Sequence, residues 1–186
     1  MSGPFAPIPA DSAGFGGSGA TGSGFDGFFQ LGSADETAAI ATALASTLCA
    51  GDVILLDGAV GSGKTHFARA LIQARLADAG RFEEVPSPSF TLVQIYSDGD
   101  TEIWHVDLYR LSDPCDVAEL GLESAFDDTV CLVEWPDRLG GLVPKDALRL
   151  RLEMTAVPGE RLAWLKAPHG KWVSRFKMAG LETPGG

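Results

Sequence analysis

Apolar residues recur along this chain with different spacings, and the spacing indicates the element. From Thr37 to Cys49, the residues Ile40, Ala41, Leu44, Ala45 and Leu48 share one helical face, and Ser33-Ala34-Asp35-Glu36 ahead of them has the S-x-x-E form of a capping box. Val53-Ile54-Leu55-Leu56 is a short unbroken apolar run, and Val130-Cys131-Leu132-Val133 is another. Such runs suit strands buried on both faces of a parallel sheet. Helical spacing resumes from Phe67 to Leu76. Leu92–Tyr96 and Thr101–Val106 flank the turn Ser97-Asp98-Gly99-Asp100, which predicts an antiparallel pair. Ser112-Asp113-Pro114 caps a short helix that Gly121 stops, and Leu122 to Asp127 forms a further turn. Leu148–Met154 and Arg161–Leu165 make a closing hairpin around Pro158-Gly159, and Lys171–Met178 a last short helix. The sum is an α/β fold: a mixed sheet with a parallel core and antiparallel hairpins, flanked by helices.

Outside these elements the pattern fades. Residues 1–30 are rich in Gly, Ser, Pro and Ala with isolated Phe, which predicts a disordered tail. Residues 31–178 then form one domain of ordinary size, and residues 179–186 a flexible C-terminus. A net charge of −11 argues against a free-standing nucleic-acid binder, which needs clustered Lys and Arg, so any RNA role is expected through partners. Three cysteines without C-x-x-C spacing, Cys49, Cys115 and Cys131, each lie in or beside an apolar stretch and read as buried, reduced thiols. No signal peptide or membrane-length apolar stretch is visible, and the expected compartment is the cytoplasm.

The most specific chemistry lies between the first apolar run and the helix after it. Gly58-Ala59-Val60-Gly61-Ser62-Gly63-Lys64-Thr65 is a P-loop in strand-loop-helix context, so the fold is of the P-loop NTPase type. Glycines at 58, 61 and 63 let successive N–H groups converge on a phosphate, and the helix N-terminus faces the same hollow. Lys64 is expected to face solvent until it meets the β- and γ-phosphates of ATP, and the Thr65 hydroxyl to ligate the bridging Mg²⁺.

Hydrolysis needs an acid as well, and two carboxylates end apolar strands. Asp107 closes Ile103–Val106 and Glu134 closes Val130–Val133, so either can play the metal-binding part. His105 stands two before Asp107, on the same strand face, as a general base or simply as its hydrogen-bond partner. Arg110, three beyond Asp107, is placed to reach a γ-phosphate, to hold Asp107, or to sit solvated on the surface. Pro86-Ser87-Pro88-Ser89-Phe90-Thr91 is a stiff loop bearing three hydroxyls.

These residues form an ordered set that resembles the TsaE family, bacterial P-loop ATPases needed for the threonylcarbamoyladenosine modification of tRNA. The resemblance runs from about Ala34 to Arg161. It rests on Glu36-Thr37, the P-loop, Ser87–Leu92, His105–Leu111, Glu119-Leu120-Gly121 and Glu134-Trp135-Pro136. It implies that Thr65 and Glu134 hold Mg²⁺, that Asp107 and Lys64 serve catalysis, and that Ser87, Ser89 and Thr91 belong to a switch loop sensing the γ-phosphate. It further implies a nucleotide-binding set of Glu36, Gly58, Gly61, Ser62, Gly63, Lys64, Thr65, His66 and Arg161. The implied partner is the two-subunit, sugar-kinase-like threonylcarbamoyl transferase of the TsaD and TsaB type, with tRNA met only indirectly. Ser89 replaces the Thr usual in that loop and Val60 the usual Leu; neither change removes a needed donor or acceptor. Two rivals remain on sequence grounds: a small-molecule kinase, which normally needs an Arg-rich lid, and a nucleotide-gated scaffold without turnover.

Overall fold

The computed structural model describes residues 25–167 and 170–181. Its first half runs β1 (Phe25–Leu31), α1 (Ala34–Ala45), β2 (Val53–Asp57), α2 (Lys64–Asp78), β3 (Val93–Ser97) and β4 (Glu102–Asp107). Its second half runs α3 (Pro114–Ala118), α4 (Leu122–Asp128), β5 (Val130–Glu134), a 3-10 segment (Pro136–Leu142), β6 (Leu148–Met154), β7 (Arg161–Ala167) and α5 (Lys171–Met178).

The seven strands form one sheet in the order β1-β7-β6-β2-β5-β4-β3. Its centre, β6-β2-β5-β4, is parallel, and antiparallel pairs close it at both sides. That is the mixed sheet expected: the unbroken apolar runs β2 and β5 lie side by side at its middle, and the two hairpins flank them. The two faces sort by strand period: Ile54, Leu56, Val130 and Leu132 join the core under α1, α2 and α5, while Val53, Leu55, Cys131 and Val133 pack with α3 and α4. No helix of the described residues is long and apolar enough to cross a membrane. Of the three cysteines expected to be buried, only Cys131, inside β5, is; Cys49, past the end of α1, and Cys115, at the start of α3, lie exposed.

Three boundaries differ from expectation. Residues 25–30, assigned above to the tail, belong to β1, which pairs with β7 in register from Phe25 opposite Ala167 to Leu31 opposite Arg161. Phe29 and Leu31 are buried there, and burial of those side chains outweighs the weak strand preference of the neighbouring glycines. The rest of the expected tail, residues 1–24, lies outside the described residues.

At the other end, residues 179–181 are not a loose extension. Gly180 takes φ 68°, Leu181 N–H donates to Phe176 O at 3.0 Å, and Leu181 packs on the core, which is a glycine-based helix stop. Residues 182–186 lie outside the described residues. The first helix ends at Ala45 rather than Cys49, because the Thr47 hydroxyl donates to Leu44 O at 2.8 Å and turns the chain.

Candidate functional site

Alternation along β4 and β5 puts His105, Asp107 and Glu134 on the sheet face that α2 covers, and the parallel register sets Asp107 directly beside Glu134. Both carboxylates therefore arrive at the C-terminal edge of the sheet, next to the loop that joins β2 to α2. That edge is where open α/β sheets gather ligands.

The loop itself is shaped by its glycines. Gly58 has φ 137°, and a Cβ there would lie 2.3 Å from Leu152 O and 2.7 Å from Ser62 Oγ, so the backbone packs where no side chain fits. Ser62 Oγ is buried and has no hydrogen-bond partner among the described residues. Lys64 differs from expectation: it is 4 % exposed rather than facing solvent. Its ammonium donates to Gly58 O at 2.7 Å and Ala59 O at 2.9 Å, and lies 3.9 Å from the centre of the Trp135 ring. Burial pulls its pKa below the ordinary lysine value, against the opposing pull of Glu134, Asp107 and Asp57.

Thr65 Oγ1 donates to Glu134 Oε2 at 2.9 Å, and His105 Nε2 lies 2.9 Å from Glu134 Oε1. His105 thus meets Glu134, not Asp107 as its strand position first indicated. The cause is the diagonal across the sheet: His105 stands opposite Leu132, two positions from Glu134 on the same face. Asp107 is held elsewhere, accepting from Ser89 Oγ at 2.8 Å and from Tyr109 N–H at 3.0 Å. Ser87 Oγ lies 2.7 Å from Ser89 Oγ, extending this chain along the Ser-Pro loop. The loop is also tied to Asp107 through the backbone, because Asp107 N–H donates to Leu92 O at 2.9 Å. Thr91 sits exposed in the same loop. Arg110 lies over the Phe90 ring, 5.6 Å from its centre, so it touches the loop while Ser89 and Tyr109 take the Asp107 oxygens.

The remaining expected residues flank the loop. Arg161 Nε donates to Ser62 O at 2.9 Å and another of its nitrogens lies 3.5 Å from Gly61 O. His66 Nε2 lies 2.9 Å from Ala34 O, which ties the start of α2 to the start of α1, where Glu36 accepts from Gly32 N–H at 2.8 Å. Sequence reasoning placed Trp135 and Tyr109 within ordered motifs but read Trp135 as a core or rim aromatic and gave Tyr109 no role at the site. Trp135 has φ 61°, a conformation costly for a bulky residue, and its ring packs tilted against Tyr109, 4.8 Å between centres, while receiving Lys64. The available signal was its place directly after a strand-end acid.

The donors fit a magnesium polyphosphate. Thr65 and Glu134 are adjacent hard oxygen donors, suited to an ion held by one or two protein oxygens plus phosphate and water. The buried, unpartnered Ser62 hydroxyl and the side-chain-free approach at Gly58 belong to a cradle built for close backbone contact.

Fold and site together define an α/β protein of the P-loop type. Residues 31–162 match the family model described as "Threonylcarbamoyl adenosine biosynthesis protein TsaE", so the chain belongs to the TsaE family. It is 37 % identical over 124 residues to the tRNA threonylcarbamoyladenosine biosynthesis protein TsaE of Rickettsia bellii, covering 67 % of this chain and 84 % of that one. Identity to the same-named Bacillus subtilis protein is 36 % over 117 residues, covering 62 % of this chain and 70 % of that one. The crystal structure of Bacillus subtilis YdiB superposes with a TM-score of 0.70 at 25 % identity, covering 86 % of this chain and 97 % of that one.

Proposed function

We propose that this chain is a Mg²⁺-dependent ATPase that acts on a partner in threonylcarbamoyladenosine formation. Membership of the TsaE family makes it a tRNA threonylcarbamoyladenosine biosynthesis protein. The partner is the two-subunit, sugar-kinase-like threonylcarbamoyl transferase of the TsaD and TsaB type, in the cytoplasm. With a net charge of −11, the chain leaves tRNA contact to that partner.

The observation that carries the chemistry is the Thr65–Glu134 contact of 2.9 Å beside the P-loop. Thr65 and Glu134 would hold the Mg²⁺, which when bound supplies positive charge for the phosphate oxygens. Lys64, already desolvated, adds a fixed cation at the same edge. The P-loop N–H groups, with Arg161 bracing Ser62 O, keep the cradle in shape. Asp107 is the acid left for water: once Ser89 moves off Oδ2, that oxygen can accept a hydrogen bond from it. The Ser-Pro loop therefore couples its own position to the availability of Asp107.

Phosphate release measured with and without the transferase subunits tests this reading. ATPase activity that rises with the subunits supports it. Transfer of phosphate to a small molecule would make the chain a kinase, and nucleotide binding without release under any condition would make it a scaffold.

A further inference from the structure

The contact between His105 and Glu134 has no part in the chemistry described so far. His105 is fully buried, in a central strand, with Nε2 2.9 Å from Glu134 Oε1. An ionised carboxylate only accepts hydrogen bonds, so Nε2 is the donor. Nδ1 is buried and has no partner among the described residues, so the contact through Nε2 is the ring's one hydrogen bond there. The other oxygen, Oε2, accepts from Thr65. Glu134 is thus gripped from two elements, β4 on one oxygen and α2 on the other.

We propose that His105 is a positioning residue that pins Oε1 of Glu134 and so keeps Oε2 turned toward Thr65 and a divalent cation bound beside it. This rests on the reading of Glu134 as the metal ligand. A glutamate side chain has three rotatable bonds, and at a strand end it swings unless something holds it. Histidine holds it through one directed N–H without the permanent charge of Lys or Arg, which would compete with the cation for the carboxylate. Partners of this kind behind a ligand contribute tenfold to a hundredfold in metal affinity, on the order of other metal sites.

Two measurements test it on the full-length chain. Nitrogen NMR on the ¹⁵N-labelled, nucleotide-free protein, which has only three histidines, should show His105 with the proton on Nε2. ATP affinity is then measured with Mg²⁺ and with EDTA for wild type, His105→Leu, His105→Gln and Glu134→Gln. His105→Leu should lose about tenfold or more of the enhancement by Mg²⁺, while its Mg²⁺-free affinity stays within about threefold. His105→Gln, whose amide presents an N–H at a similar reach, should keep the enhancement within about threefold. A wild-type His105 with no proton on Nε2 overturns the proposal, whatever the metal does. So does a His105→Leu protein that keeps the full Mg²⁺ enhancement while Glu134→Gln loses it; the metal reading then stands alone. If Glu134→Gln keeps it too, the metal reading falls and the positioning role with it. Should His105→Leu fail to fold, the wild-type tautomer and His105→Gln decide, and a folded His105→Gln without the enhancement counts against the proposal.

Discussion

Ser89 Oγ donates to Asp107 Oδ2 at 2.8 Å, so the Ser-Pro loop and the acid at the end of β4 form one unit in this structure. Glu134, beside Asp107 in the register, has no such tie to the loop and faces Thr65 instead. The two neighbouring acids are therefore wired to different parts of the site.

That wiring separates their expected phenotypes. Glu134→Ala should lose the Mg²⁺ dependence of ATP binding, because it removes the carboxylate proposed to hold the ion. Asp107→Ala should bind Mg-ATP within about tenfold of wild type, roughly 1.4 kcal/mol, while losing most ATPase activity in the presence of the transferase subunits. Titration calorimetry with Mg²⁺ and with EDTA reads the first, and phosphate release the second. Reversed results would exchange the two roles.

Lys64→Ala should weaken Mg-ATP binding by at least about a hundredfold, since the site loses its cation and about 2.7 kcal/mol of phosphate interaction. Because Lys64 is buried and bonded to Gly58 O and Ala59 O, the variant should also lose about 1 kcal/mol of stability as these carbonyls turn to water. Urea unfolding without nucleotide measures the second effect. A solvent-facing lysine would show no such cost, and that outcome would contradict the resting geometry seen here.

The difference over Lys64 shows where sequence reading stops. The P-loop, the paired strands around residues 97–100, the hairpin at Pro158-Gly159 and α5 at Lys171–Met178 were legible because each is written in local spacing or turn chemistry. Asp107 and Glu134 were legible as strand ends. Their order in the sheet was not, so neither was the diagonal that gives Glu134, rather than Asp107, to His105. β1 was hidden for a similar reason. Its Phe25-Asp26-Gly27-Phe28-Phe29 segment lacks a clean alternation, and its partner β7 comes near the other end of the chain.

β1 can be tested through one side chain. Phe29 is 2 % exposed and belongs to the core shared with α1, β6 and β7. Phe29→Ala should cost about 3–5 kcal/mol, the range for truncating a large buried ring. Deleting residues 1–30 should cost at least as much, because it removes β1 up to Gln30. A change under about 1 kcal/mol for the deletion, as expected of a tail that buries nothing, would mean that β1 does not pair in solution.

The clasp at the opposite end of the sheet makes a prediction in pH. Asp52 is fully buried at the start of β2, and α5 supplies both its cations: Lys171 Nζ at 2.9 Å and an Arg175 guanidinium nitrogen at 2.8 Å. Burial lowers the Lys171 pKa, but the ion pairs with Asp52 and Asp146 outweigh it and leave the value above that of an ordinary lysine. The folded protein therefore holds this proton more tightly than the unfolded chain. The associated stability is fully present below the unfolded value of about 10.4 and is lost as pH rises through the higher folded value. Asp52 also keeps its second partner, Arg175. Thermal unfolding of wild type and Lys171→Met followed from pH 7 to 11.5 checks this. The wild type should be more stable at neutral pH, and the gap should narrow only above about pH 10.4. A gap that closes between pH 7 and 9 would mean that Lys171 titrates below the ordinary lysine range and that the clasp is weaker than its geometry.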